Sequence, residues 1–322
     1  MIKEKKLQSF FYNCLLKSCR PVRENDLLSR IVERLWKKFA RMDKGPVATK
    51  IQGHRVVMNA GYTYPFYAKK YPTLNDPLVE LTHQMFKIRK VPIVVVDIGA
   101  AIGDTILLLI GKCPDEVGKF YAVEGNDDFF SYLKDNVSCL TNVELFQFFL
   151  SAQLGEAKEL IHIHAGTASS QGEKKVKTTT LDLLLSQGQI DEKIDLIKID
   201  TDGYDGRILK GATNILRRLK PAVIFEWHPT LCEQTENSYK EHFEVLTSEG
   251  YTMFIFFNKF GNFSHFMVNY DEKNIDLLAK VCLRGKFLYD WHYDVIALHG
   301  TSGIDPVVLS EMAWAKNAKK SF

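Results

Sequence analysis

The stretch that most constrains this chain runs Ile93-Val94-Val95-Val96-Asp97-Ile98-Gly99-Ala100-Ala101-Ile102-Gly103-Asp104-Thr105. A β-branched apolar run ends in an acid and two glycines, and a second apolar run follows. Continuous Ile and Val without polar alternation predicts a strand buried on both faces, which calls for a parallel sheet covered by helices. Gly99 and Gly103 permit a tight strand-to-helix turn and let a ligand approach the backbone. A helix starting near Asp104 turns its free N–H groups toward that loop. The pattern is that of a nucleotide-cofactor loop.

Charge and spacing narrow the cofactor. A dinucleotide loop uses Gly-x-Gly-x-x-Gly, with the pyrophosphate on the helix N-terminus. Here the spacing is Gly-x-x-x-Gly, Ala101 replaces the middle glycine, and Asp97 stands at the strand tip. A carboxylate there opposes a pyrophosphate and suits a cation such as the sulfonium and α-ammonium of S-adenosylmethionine. Phe120-Tyr121-Ala122-Val123-Glu124 reads as a second strand ending in an acid about 20 residues after Gly103, the spacing of a ribose-hydroxyl acceptor.

Composition removes other classes. A net charge of +3 on 322 residues gives no footing for a nucleic-acid partner. The six cysteines are scattered without a Cys-x-x-Cys pair, so neither zinc nor a disulfide framework is expected, and a reduced cytoplasmic protein is. The apolar piece Phe10–Leu16 is short and interrupted by Asn13, unlike a signal peptide. No run reaches the roughly 18 apolar residues of a membrane span.

Residues 1–45 read as a helical arm. Leu27, Leu28, Ile31, Val32, Leu35, Trp36 and Phe39 recur at helical spacing after a cap at Asn25 or Asp26, and Arg30, Arg34, Lys37, Lys38 and Arg41 line the other face. Such an arm packs on the core or on a second copy as a homodimer; a peripheral membrane contact is the other expectation. Residues 46–90 read as a β segment turning at Gly53-His54, an aromatic loop (Tyr62, Tyr64, Phe66, Tyr67, Tyr71) placed to act as a lid, and a helix capped at Asn75-Asp76-Pro77. From 91 to 300 strands and helices alternate, predicting a doubly wound α/β sheet with antiparallel edge strands, followed by a tail over 301–322. Within it, 127–140 reads as a helix and 142–150 as one strand. His162 and His164 share a strand face, but with no third ligand nearby they read as edge histidines rather than a metal pair.

A second informative stretch, Ile194 to Asp205, repeats the form of an apolar strand ending in acids, as does Ala222 to Pro229. Ligands of open α/β sheets bind at the carboxyl ends of the strands. Asp97, Glu124, Asp200, Asp202, Glu226 and His228 therefore belong to one rim, while Asp205 reads as a helix cap.

Together these stretches resemble the FkbM-type family of S-adenosylmethionine-dependent methyltransferases. The resemblance rests on Val95 to Gly103, Glu124, Leu133-Lys134-Asp135-Asn136, Thr180-Leu181-Asp182, Asp195 to Gly203, Leu209-Lys210-Gly211-Ala212, Lys220-Pro221 and Glu226, and covers roughly residues 90 to 230. It departs at Ala101, where the family usually has Asn, and at Gly125, where it usually has Pro. It implies a Rossmann-like domain of the class I methyltransferase type and O-methylation of a small molecule or a glycan sugar. Asp97, Gly99, Ala100 and Gly103 are then expected at the methionyl end and Glu124 at the ribose, with Gly125, Asn126 and Ser151 completing the cofactor set. Asp200 and Asp202 face the acceptor, with one of them or His228 as base. Asp200, Asp202 and Glu226 are alternatively ligands of a Mg²⁺. Two rival readings are an NAD(P)-dependent oxidoreductase, opposed by the glycine spacing and Asp97, and a non-catalytic cofactor-binding scaffold with a methyltransferase-like core.

Overall fold

The computed structural model describes residues 2–21, 27–42, 45–158, 161–164, 167–169, 175–191, 193–283 and 291–310. Helices α1 (Lys6–Ser18) and α2 (Leu27–Met42), the hairpin β1 (Pro46–Ile51) and β2 (His54–Asn59), and helices α3 (Tyr64–Lys70) and α4 (Asp76–Arg89) lead into β3 (Ile93–Ile98). Alternation follows with α5 (Asp104–Lys112), β4 (Val117–Val123), α6 (Asp127–Asn136) and β5 (Val143–Phe146). Short strands β6 (Phe149–Leu150), β7 (Gly155–Lys158), β8 (Ile161–His164), β9 (Thr167–Ser169) and β10 (Lys175–Thr179) interrupt it before α7 (Leu181–Ser186). It resumes with β11 (Leu196–Ile199), α8 (Asp205–Lys210), α9 (Thr213–Leu219), β12 (Ala222–Trp227), α10 (Pro229–Gln234) and α11 (Glu241–Ser248). Strands β13 (Tyr251–Asn258) and β14 (Phe263–Val268), helix α12 (Glu272–Leu283) and strand β15 (Tyr293–His299) complete it.

One eight-stranded sheet, ordered β14-β13-β15-β12-β11-β3-β4-β5, carries the domain. Its β12-β11-β3-β4-β5 part is parallel. Strand β15 runs antiparallel between β12 and β13, and β14 adds a further antiparallel strand at that edge. The doubly wound, Rossmann-like expectation holds. All six residues of β3 are buried, because Val94, Val96 and Ile98 feed the core on one face and Ile93 and Val95 the core on the other. Strand order reverses direction beside β3, which opens a crevice at the carboxyl ends of β3 and β11.

The arm is joined to this domain by a third core that includes Tyr12, Val32, Trp36, Met58 and Phe66, with Trp36 stacked on Phe66 at 4.5 Å. On α2, Ile31 and Leu35 stay exposed beside Arg30 and Arg34. Among the described residues no helix is long and apolar enough to cross a membrane.

Local differences from the sequence reading have identifiable causes. The aromatic segment is a helix, α3, with Pro65 in its first turn, where proline's fixed φ suits a helix start. Asn75 precedes α4 without capping it; its Nδ2 donates to Tyr64 Oη at 3.0 Å instead. The 142–150 stretch divides because β5 pairs with β4 whereas β6 pairs with β10, in another sheet. The cap at Asn25 or Asp26, the side chains of His162 and His164, and the tail beyond 310 lie outside the described residues.

Helix α6 ends at Asn136, four residues short of the reading, and Asn136 is where the β1–β2 hairpin meets the β3–α5 loop. Its Oδ1 accepts from Val57 N–H at 2.8 Å, and its Nδ2 donates to the Val57 and Ile102 carbonyls at 2.9 Å each. These groups are buried, so deleting the amide orphans several at once. Asn136→Ala is expected to lose about 2–4 kcal/mol in urea unfolding; an unchanged midpoint would show that the bridge carries no stability.

Candidate functional site

The loop after β3 is shaped by close backbone approach. Gly99 has φ +76°, and a Cβ there would lie 2.0 Å from the Asp200 carbonyl oxygen, so glycine is required both by dihedral and by space. The Gly99 and Ala100 N–H groups donate to the Val123 carbonyl at 2.9 and 3.1 Å. Gly103, φ +86°, occupies the N-cap position of α5. Ala101 also has positive φ, at 45°, and its N–H donates to Glu124 Oε2 at 2.9 Å.

Glu124 thus clasps two loops, since its Oε1 accepts from Asn126 N–H at 2.8 Å. Burial pushes its carboxyl up to about 7 even though both backbone donors favour the charged form. Asn126 caps α6 through Oδ1, accepting from the N–H groups of Asp128 and Phe129. A Cβ on Gly125 would meet the Phe149 ring at 2.5 Å. The ring fills the space a bulkier residue would need, which is a physical reason for glycine there.

Below the loop lies an ion cluster in which Asp97 and Asp104 are buried, Lys198 is nearly so and Asp200 reaches solvent. Lys198 is the register partner of Asp97 across β11 and β3, and its Nζ lies 3.4 Å from Asp97 Oδ1 and 3.3 Å from Asp200 Oδ2. Burial works against the ammonium, but Asp200, Asp97 and Asp104 around it outweigh that and raise its pKa. Asp97 is completely buried; burial raises its carboxyl and Lys198 draws it back. Asp104 accepts from Tyr62 Oη at 3.0 Å, and burial pushes it up to about 6.

Two cavities open around this cluster. The first encloses about 1090 Å³, part of it open to solvent, and is walled by Gly99, Ala101, Glu124, Asn126 and Asp202 with aromatic sides from Phe129, Phe149 and Tyr204. The second is lined by Tyr64, Asn75, Glu226 and Asp294. Asp104, Thr105, Lys198 and Asp200 line both. Burial raises Glu226 well above the usual carboxylate range, reinforced by the charge of Asp200. Asp294, opposite Glu226 in the β12–β15 register, is pushed up to about 7 by burial and then by Asp200.

Of the residues read from the sequence, Gly99, Glu124, Gly125, Asn126, Asp200 and Asp202 line the first cavity, and Glu226 lines the second. Asp97, Ala100 and Gly103 lie beneath the wall rather than in it; Asp97 reaches the cavities through Lys198. Ser151 lines neither cavity; its N–H donates to the Thr179 carbonyl. His228 also lines neither: it occupies the N-cap position of α10, accepts from Leu231 N–H and stacks on His292 at 5.1 Å. Asp205 holds the strand-tip turn, accepting from the Thr201 N–H and hydroxyl. Among the described residues, Asp200, Asp202 and Glu226 do not bring their oxygens together as ligands of one ion.

Sequence reasoning missed Lys198, Asp104, Asp294 and Phe149, whereas Tyr62, read as part of the aromatic lid segment, does line the first cavity. Lys198 left a signal: a cation inside an apolar strand run needs buried anions beside it. Asp294 left none, since long-range topology alone brings it to the rim.

Residues 97–253, just under half of the chain, match the family described as Methyltransferase FkbM domain. Among solved structures the chain is similar to methyltransferase FkbM from Methylobacillus flagellatus KT, at 12% identity and TM-score 0.39, covering 75% of this chain and 53% of that one. The chain thus spans about half the length of that protein. It is also similar to the METTL16 MTase domain, at 12% identity and TM-score 0.46 over 91% of each chain. A third likeness is to M. jannaschii TYW2 in complex with AdoMet, at 15% identity and TM-score 0.37 over 78% of this chain and 84% of that one. No curated protein matches the sequence. The fold class expected from the motifs, a Rossmann-like sheet of the class I methyltransferase type, stands.

The buried acids set a pH dependence. Glu124, Asp104 and Asp294 hold their protons more tightly when folded than when unfolded. The stability they contribute is fully present below the ordinary carboxylate pKa and is lost as pH rises through about 6 to 7. The melting temperature of ligand-free protein is expected to fall between about pH 5 and pH 8, less steeply in Glu124→Gln, by scanning calorimetry. A slope equal in both proteins would remove Glu124 from this account.

Proposed function

We propose that this chain, which carries a methyltransferase FkbM domain over residues 97–253, transfers a methyl group from S-adenosylmethionine to a hydroxyl oxygen of a small molecule or a glycan sugar. The observation that carries the reading is the meeting of two cavities at Asp200 and Lys198. One cavity has a ribose acceptor and aromatic walls; the other has polar and carboxyl groups suited to a hydroxylated acceptor.

S-adenosylmethionine supplies an electrophilic methyl carbon on a sulfonium. The residues around it bind, orient and move a proton. Glu124 keeps lone pairs for ribose hydroxyls while its other contacts hold the loop. Asp97, Asp104 and Asp200 outnumber the one cation, Lys198, so the cluster favours a cationic ligand. The same excess opposes the pyrophosphate of NAD⁺, which weighs against the oxidoreductase reading.

On the acceptor side, Asp200 is the residue placed to take the hydroxyl proton as the oxygen bonds to the methyl carbon and the carbon–sulfur bond breaks. Lys198 is a positioning residue that fixes the Asp200 carboxylate. Asp202 stands beside it in a left-handed conformation, φ +51°, and is the alternative base. Binding of S-adenosyl ligands with no turnover on any hydroxylated acceptor would favour the non-catalytic scaffold.

Calorimetric titration with S-adenosylmethionine, S-adenosylhomocysteine and NAD⁺ tests the cofactor, and binding of NAD⁺ alone would overturn the reading. For the acceptor side, transfer of a labelled methyl group to hydroxylated acceptors is the measure. Asp200→Asn or Asp202→Asn is expected to lower kcat by about 10²-fold or more, and Asp202→Asn, outside the Lys198 cluster, to leave affinity for S-adenosylmethionine within a few-fold. Near-normal turnover in both variants would sink the base assignment.

A further inference from the structure

At the other end of the strands, three side chains of different chemistry converge. His83 comes from the middle of α4, Cys113 follows the end of α5, and Glu116 precedes β4. The backbone fixes the last two on one turn: Glu116 N–H donates to the Cys113 carbonyl, and Ile93 N–H, at the start of β3, donates to the Glu116 carbonyl. His83 Nδ1 lies 2.8 and 2.7 Å from the two Glu116 carboxylate oxygens and 3.9 Å from Cys113 Sγ. One ligand atom from each residue lies within 4.8 Å of the others, and no other described group of three does so. Cys113 is 1% exposed, within an apolar core, whereas the His83 and Glu116 side chains reach solvent.

We propose that His83, Cys113 and Glu116 form a binding site for one divalent cation of the zinc type. Sulfur, nitrogen and carboxylate oxygen together suit Zn²⁺ and its neighbours and not Mg²⁺ or Ca²⁺. Tetrahedral zinc with bonds of about 2.0–2.3 Å holds its ligand atoms about 3.3–3.7 Å apart. The sulfur–nitrogen separation already lies near that value, and the shorter nitrogen–oxygen contact is a hydrogen bond that opens when a cation replaces its proton. Solvent on the open side supplies a water as fourth ligand. Binding releases the thiol proton, so uptake weakens as pH falls. The ion ties α4 to the turn between α5 and β4, about one strand length from the cofactor crevice, and so acts on stability rather than on transfer. Cys113 and Glu116 stand at a two-residue spacing common to zinc ligands, but with no second such pair in sequence the site is unmarked, because His83 joins them only through the fold.

The competing account is a histidine–glutamate ion pair beside a buried thiol that never binds metal. The whole chain, with the exposed Cys14 and Cys139 changed to Ser, is titrated with Co²⁺ and followed by absorbance, and the bound ion is then displaced with Zn²⁺. The expected result is one saturable site with a near-ultraviolet thiolate-to-cobalt band, absent in Cys113→Ser and weakened about tenfold or more in His83→Gln. His83 is surface-accessible, so its variant keeps the test alive should Cys113→Ser fail to fold, which near-ultraviolet circular dichroism reports. No saturable band, or one that survives unchanged in both variants, overturns the site. Because nothing in this titration involves S-adenosylmethionine, its outcome is independent of the proposed methyl transfer.

Discussion

The site depends on one buried ammonium. Lys198 lies inside the sheet, where an isolated charge is prohibitively costly, and it persists because Asp97 sits opposite it in the register and Asp200 follows two residues on. That pairing does more than neutralise charge. It fixes β11 against β3 in one register, since a slip of one residue would turn Lys198 to the other face and strand Asp97. It also orients Asp200 toward the boundary between the cavities. A structural requirement and the proposed placement of the base therefore share the same three side chains.

Around this cluster the loops are held by space as much as by bonds. The Asp200 carbonyl approaches Gly99 so closely that any side chain would collide, so the β3 loop and the β11 tip can only be shaped together. Glu124 adds the β4 tip by binding N–H groups on both sides. A crevice assembled this way is preorganised, its backbone fixed before a ligand arrives. Phe149 extends the principle to the aromatic wall, where its ring takes the volume left by Gly125.

How much of this was legible follows from the range of the interactions. The β3 run, the glycine loop and the acid of β4 are local patterns dictated by strand burial and turn geometry, and they appeared where read. Asn136, noticed only as part of a motif, proved to be a bridge whose partners, Val57 and Ile102, lie far away in sequence. The helix over 64–70 was hidden because aromatic residues with prolines and a glycine satisfy a loop pattern equally well; burial of Phe66 under Trp36 decides it. The division of 142–150 was hidden for another reason: a single apolar run does not reveal that its two halves pair with different sheets. His228 shared a strand-tip pattern with Glu226, yet two residues further on, just past the end of β12 at Trp227, it is turned from the cavities to a helix cap.

The raised carboxyls give the crevice a further property. Asp104 and Glu124 are pushed toward neutrality by burial, so protons and a cationic ligand are alternative ways of relieving the same excess of negative charge. A cation that enters favours the ionised forms and must displace whatever protons they hold, which couples ligand affinity to pH with a sign opposite to that of ligand-free stability. Raising the pH weakens the empty fold while preparing the crevice for a positive ligand. An apolar crevice would be stable at every pH but would hold no preference for charge, and a crevice with fully compensated acids would be equally indifferent. On the proposed reading, the uncompensated acids around Lys198 therefore trade stability of the empty fold for selection of a cation.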